Sequence, residues 1–251
     1  MRLLLLLAAA LLAALAARSS VRTPEPDPVF RTNQLQFPRV RAAYSAYETA
    51  TATLLRRNGL APGRLELFLR AFKVGRRVEA WGRNAGEGQF VLLRTFRLAG
   101  TSGTLGPKRQ AGDGQIPEGF YTINRFNPDS KYHLSLGLDY PNAADQFRAG
   151  FRDPGNDIFI HGSNETIGCL PITDEGIREL YVLAVEARSA GQASIPVHIF
   201  PFELTADNLA RRMASPHLGF WQQLAVGYEA FEATHELPSI TVTADGVYAV
   251  R

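Results

Sequence analysis

A mixed α/β fold, rich in β-strand, is what this 251-residue chain predicts. Between Arg64 and Ala99, "RLELFLRAFK", "RRVEAWGR" and "QFVLLRTFRLAG" alternate apolar and polar residues and are separated by Gly-containing turns, the pattern of a β-meander. Helical periodicity appears before and after this region, with no regular strand–helix alternation that would signal a parallel doubly wound sheet. An apolar fraction of 45% and a charged fraction of 20% supply a genuine core. The length suits one ordinary domain with added elements, or at most two small ones.

The elements follow in order. Arg2 precedes an unbroken apolar run, Leu3 to Ala17, and then Arg18, Ser19 and Ser20. One charge, about fifteen apolar residues and a small-residue end describe a secretory signal peptide, residues 1–17. The run falls short of the roughly 20 residues that span a bilayer. Cleavage after Ala16 or Ala17 is expected, with retention as an anchor the alternative. "SSVRTPEPDP" then reads as a proline-rich linker. Val40, Tyr44, Tyr47, Leu54 and Leu55 recur at helical spacing up to the C-cap pair Asn58-Gly59. After the meander, "EGFYTINRF", "YHLSLGLDY", "NDIFIHG" and "SIPVHIFPF" are strands. "TDEGIRELYVLAVEARSAG" is a helix with Thr173 as N-cap, Asp174 and Glu175 matching the dipole, and Gly191 as the stop. Two helical stretches, "TADNLARRMA" and "HLGFWQQLAVGYEAFEA", lead to a closing strand, "SITVTADGVYAV".

A net charge of +3 with only short, mixed basic runs such as "LLRRNG" argues against a nucleic-acid surface. There are no repeats and no phosphate-binding Gly loop. None of the five histidines has metal-ligand spacing, so no metal cluster is expected. Trp81, Trp221, Phe200 and Phe202 read as core, and Asn142 and Asp145 as residues that hold a loop.

The chain has one cysteine, Cys169. Exported proteins favour paired cysteines, so this thiol is a buried small hydrophobe, an intermolecular staple or a nucleophile. In "DIFIHG" a strand puts Ile158 and Ile160 on one face and Asp157, Phe159 and His161 on the other. His161 then stands at a strand end, eight residues before Cys169, with a polar loop between them. Gly168 would let a substrate approach the backbone closely. A thiol attacks as the thiolate and needs a base. The loop can return Cys169 to His161, but the spacing alone leaves a structural thiol equally open.

"IHGSNETIGCLPIT" resembles the active-site motif of the L,D-transpeptidase (YkuD-type) catalytic domain, and most closely its YafK-like branch of murein enzymes. "GTLGPKRQAGDGQIPEGFYTI" and "DYPNAADQ" resemble two further segments of that domain. "HIFPFELTADNL", "FWQQLAVGYEAFEATHELPSITV" and "GVYAV" resemble the branch's C-terminal extension. The likeness runs from about Arg64 to Val250. It implies residues 18–59 as linker and N-terminal helix, 60–204 as the catalytic domain and 205–251 as a C-terminal extension packed on it.

Carried over, the resemblance implies Cys169 as nucleophile and His161 as general base and later acid. The Gly162 carbonyl would orient the imidazole, and the N–H groups of Gly168 and Cys169 would receive the oxyanion. Lys108, Arg109, Tyr132, Ser163 and Asn164 are the candidate substrate contacts, with His133 beside Tyr132. Ile167 and Pro171 stand where many family members have a polar residue and an arginine. The partner implied is the peptidoglycan stem peptide, met by a monomer in the periplasm or cell envelope, and the implied mechanism needs no metal or organic cofactor. The acyl group would pass to an amine in transpeptidation, or to water in hydrolysis of a link to a wall-attached protein. A non-catalytic wall-binding domain and a disulfide-linked dimer are the readings from other classes.

Overall fold

A computed structural model describes residues 25–251 of the chain. The signal segment, residues 1–17, lies outside the described residues. Helices α1 (Pro28–Gln34) and α2 (Pro38–Arg57) precede the meander β1 (Leu65–Phe72), β2 (Arg77–Asn84) and β3 (Glu87–Arg97). Strands β4 (Gly119–Asn127) and β5 (Ser135–Leu138) follow, then α3 (Ala143–Ala149), β6 (Phe159–His161), β7 (Leu170–Pro171), α4 (Thr173–Ser189) and β8 (Ile195–Phe200). Helices α5 (Ala206–Ala210) and α6 (Leu218–Thr234) and the strands β9 (Ile240–Val242) and β10 (Tyr248–Val250) complete the chain.

Strands β1 to β8 form one sheet in the order β3-β2-β1-β8-β4-β5-β6-β7, and β9 and β10 a separate pair. The pairs β1–β8 and β6–β7 are parallel and the rest antiparallel. Strand β1 shows why both sheet faces are covered. Leu65, Leu67, Leu69 and Ala71 point into the larger core, shared with Val40, Tyr44 and Leu55 of α2 and Ile177, Leu180 and Leu183 of α4. Phe68 and Phe72 point the other way, towards Tyr228 and Phe231 of α6. The C-terminal segment thus supplies a second hydrophobic layer, in which Trp221, Phe200 and Phe202 are buried.

Arg70 shares that second face and is buried. It donates from Nε to Glu79 at 2.9 Å and from Nη1 to Glu232 of α6, and it packs against the rings of Trp81, Tyr228 and Phe231. Burial alone would raise the Glu79 carboxyl, but hydrogen bonds from Arg77, Arg70 and Trp81 hold it below the ordinary range.

Three local expectations are refined. The Asn142–Asp145 pair caps a helix rather than holding a loop: Asn142 Oδ1 accepts the Asp145 N–H at 3.0 Å and Asp145 Oδ2 the Asn142 N–H at 3.2 Å, a reciprocal capping box on α3. The closing strand is a hairpin, turned by Asp245-Gly246 with Gly246 at φ +71°. The linker ends in α1, whose cap Asp27 accepts the Phe30 N–H at 3.1 Å and donates its own N–H to Ser189 O at 2.8 Å.

His198, on β8, is enclosed by the rings of Phe68 and Phe120, each 4.7 Å away. Burial, assisted by the charge of Arg70, lowers its pKa to about 3. A histidine whose folded pKa lies below its unfolded value stabilises the fold above about pH 6.5, and that stability is lost as pH falls towards 3. Urea unfolding should therefore show a loss of about 2 kcal/mol from this group between pH 7 and pH 5. His198→Phe should remove that component of the pH profile; an unchanged profile would mean that the imidazole protonates without cost.

Candidate active site

Strand β6 carries the chemistry because of its alternation. Ile158 and Ile160 are buried in the core beneath the sheet, so Asp157, Phe159 and His161 face the opposite side. Strand β5 lies antiparallel to β6, with Ser135 opposite His161. Strand β7 lies parallel on the other side, with Leu170 opposite Ile160 and Pro171 opposite His161. That register, continued one step back, sets Cys169 beside Phe159.

His161 is 2% exposed. Its Nδ1 lies 2.5 Å from the carbonyl oxygen of Gly162. A carbonyl can only accept, so Nδ1 carries the proton and Nε2 keeps its lone pair. The Tyr132 ring packs on the imidazole with centroids 4.7 Å apart. Gly162 has no room for a side chain: an added Cβ would lie 2.5 Å from Asp174 Oδ1 and 2.6 Å from Tyr132 O. The loop after it is tied to the start of α4. Ile172 N–H donates to His161 O at 2.9 Å, Thr173 N–H to Ser163 O at 3.2 Å and Ser163 N–H to Asp174 Oδ1 at 2.8 Å. Thr173 is the first residue of the helix, after Ile172 at the cap position, and its Oγ1 accepts the Gly176 N–H at 3.2 Å. Asp157, Ser163 and Thr173 all adopt positive φ, backbone strain of the kind that gathers at functional sites.

Cys169 is partly exposed and its thiol donates to the Asp157 carbonyl at 3.5 Å. Burial pushes the thiol above its ordinary range, opposed by the Phe159 N–H and reinforced by the Asp157 carboxylate. Burial also lowers the His161 pKa, against the hydrogen bond to Gly162. Both shifts favour a neutral thiol and a neutral imidazole over a thiolate–imidazolium pair. Alkylation of Cys169 by iodoacetamide should accordingly rise with pH with a midpoint above the roughly 8.5 of a free thiol. A plateau already reached at pH 6 would show a pre-formed ion pair.

Cys169, His161 and Tyr132 line one groove of about 310 Å³, with Glu165, Thr166 and Ile167 along one wall. The charged members Lys131, Asp157 and Glu165 and the β4 residue Asn127 also line it. Of these, only Asp157 was signalled in the sequence, by sharing a strand face with His161. Lys108, Arg109, Ser163 and Asn164 do not line this groove, although the Lys108 ammonium is near enough to favour the Cys169 thiolate. Lys108 is 4% exposed and donates to Asp113 Oδ1 at 2.6 Å and Gln110 O at 2.9 Å, which organises its own loop. Arg109 lies 3.8 Å from Asp145 and against the Phe220 ring. Ser163 and Asn164 do not line the groove: Ser163 is held by α4, and the Asn164 carbonyl packs on Gly100. Gly168, at φ +134°, packs on the Gln115 carbonyl, and its N–H donates to Thr166 Oγ1 at 3.1 Å. Among the described residues, no helix is long and apolar enough to cross a membrane, and no cluster of histidine, cysteine and carboxylates could hold a metal ion.

With this fold and this groove, the chain belongs to the L,D-transpeptidase catalytic domain (YkuD) family, whose model matches residues 74–199. More particularly, it is 37% identical over 186 residues to the Escherichia coli K12 protein named "Putative L,D-transpeptidase YafK", covering 73% of each chain. Among solved structures it is similar to the helical cell shape determining protein Pgp2 of Campylobacter jejuni, at 17% identity and a TM-score of 0.42, over 76% of this chain and 79% of that one. Bd1075 of Bdellovibrio bacteriovorus gives 17% identity and a TM-score of 0.39, over 69% and 63%.

Proposed function

We propose that the chain is an exported murein enzyme that transfers the acyl group of a peptidoglycan stem peptide through a thioester on Cys169. The observation that supports this most directly is the Nδ1–H bond from His161 to Gly162 O, which leaves Nε2 as an unprotonated base in the groove that also holds Cys169. A carbonyl does here what a carboxylate does in a triad, setting tautomer and ring orientation. A pure wall-binding domain would require neither side chain.

Cys169 gives its proton to Nε2 as the sulfur attacks the carbonyl carbon of the stem. The negative charge on oxygen is met by the backbone N–H groups of Cys169 and Gly168, the latter once Thr166 Oγ1 is displaced. The C–N bond breaks, the departing amine takes the proton from the imidazolium, and the acyl group stays on sulfur. An acceptor amine then gives transpeptidation and water gives hydrolysis, including release of a wall-attached protein. Tyr132 holds the imidazole from one side and borders the path of the stem.

The test incubates the protein with purified muropeptides, with and without a free D-amino acid as acceptor, and reads products by mass. Transpeptidation is expected, seen as an acceptor-exchanged stem in the first reaction. Shortened stems without exchange in both would assign hydrolysis. The absence of any acyl adduct on Cys169 under either condition would sink the thioester mechanism.

A further inference from the structure

A second cleft, of about 350 Å³, lies on the same side of the sheet as the groove but under the C-terminal hairpin. Strand β4 runs between the two: Phe120 and Thr122 line the cleft and Asn127 the groove. From Thr122 to Asn127 is roughly 17 Å of extended chain, so the cleft is a separate site.

Its wall includes His198, whose side chain is 4% exposed and whose Nδ1 has no hydrogen-bond partner among the described residues. Buried polar atoms in folded proteins are nearly always paired, so this ring nitrogen is an exception beside a cleft. The cleft holds one charged side chain, Asp139, already oriented by Thr122, whose N–H and Oγ1 donate to it at 2.7 and 3.0 Å. A fixed carboxylate with no basic neighbour in the lining is complementary to a cation.

The third feature is β9. All three of its residues line the cleft, and it is hydrogen-bonded to β10 on one side only. Ser239 and Arg251 exchange both backbone bonds, and Thr243 N–H donates to Val247 O. In an antiparallel ladder the intervening residues alternate, so Thr241 bonds towards β10 while Ile240 and Val242 direct their N–H and C=O groups outward. An unpaired edge of this kind accepts an added strand.

We propose that this cleft is a binding site for an extended peptide with a basic side chain, whose backbone pairs with the outer edge of β9 and whose cationic group meets Asp139. The apolar faces of Pro196, Leu237 and Pro238 receive the neighbouring side chains. The inference does not depend on acyl transfer in the groove.

The test uses the full chain and a fluorescein-labelled peptide, acetyl-Thr-Val-Thr-Lys-Thr-Val-Thr-amide, followed by anisotropy. Binding is expected, and the same peptide with Glu for Lys should bind at least tenfold more weakly. Asp139→Asn and Val242→Pro should each weaken the lysine peptide about tenfold, while Cys169→Ala leaves it unchanged. Val242→Pro removes an outward N–H without touching the ladder to β10. Should that variant melt early, methylating alternate amides of the probe does the same from the ligand's side and must abolish binding. No binding at millimolar peptide, equal binding by the lysine and glutamate peptides, or displacement of the probe by an N-acetylglucosamine tetramer would each overturn the proposal, the last in favour of a glycan site.

Discussion

Cys169→Ala is expected to leave no covalent acyl adduct and to lower turnover of muropeptides by on the order of a thousandfold or more, because it removes the atom that carries the intermediate. His161→Ala should cost a similar factor, since it removes the base of the proposed mechanism. The double variant should be little worse than either single one, as groups acting as a unit are strongly non-additive. Thermal stability should barely change in Cys169→Ala, because the thiol is partly exposed and holds only one long hydrogen bond. His161→Ala should melt earlier, losing a buried ring that packs on Tyr132. Intact-mass spectra and melting curves of the three proteins separate the chemical loss from the structural one. Turnover that survives in Cys169→Ala would falsify the nucleophile assignment.

The largest stability change is expected at a buried ion pair outside the lining of the groove. Glu118 is fully buried and accepts from Lys73 Nζ at 2.9 Å, from the Gly106 N–H at 2.8 Å and from Trp221 Nε1 at 2.8 Å. Lys73 Nζ also donates to Gly106 O at 2.8 Å and Ile116 O at 2.9 Å. One cluster therefore joins the sheet, the Gly-rich loop and α6. Lys73→Met should cost about 3–5 kcal/mol in urea unfolding at pH 7, since it strands a carboxylate with no access to water. Adding Glu118→Gln to that variant should recover part of the loss, because an amide keeps the Trp221 contact without a charge. If the double variant is no better than the single one, the cost lies in lost packing rather than in an unpaired charge. Gln115, beside Ile116, carries the carbonyl against which Gly168 packs, so Lys73→Met should also loosen the segment leading into Cys169.

These two results bear on what the amino-acid order could show. Alternation in "DIFIHG" placed Asp157, Phe159 and His161 together, and the strand does present them to one groove, because a period of two is a local property of extended chain. The N-terminal signals of α4 were legible for the same reason. Asn142 and Asp145 carried a capping spacing that was read as loop support, although Asn-x-x-Asp before alanines is a helix start. The turn pair Asp245-Gly246 sat inside what read as one strand. The Lys73–Glu118–Trp221 cluster had no local signature: its members are far apart in the chain, and only the packing of α6 on the sheet assembles them. Lys108 and Arg109 look available as cations within a Gly-rich loop, but Lys108 has a carboxylate partner in that loop, Asp113, and Arg109 one outside it, Asp145.

The ties around His161 make the two members of the pair unequal in freedom. The imidazole is fastened to Gly162, and the loop beyond it is hydrogen-bonded to the first turn of α4, whose body is core. Its position can wander only if the core does. Cys169 follows a glycine and precedes a two-residue strand, and its sulfur rests on Asp157 O, one χ1 step from another direction. In the proposed mechanism the thiol swings and the base stands still. Rotation about a single side-chain bond takes picoseconds to nanoseconds, whereas enzymes commonly turn over at about 1 to 1,000 per second. A thiol that reaches the base by such a rotation would do so far faster than turnover at those rates.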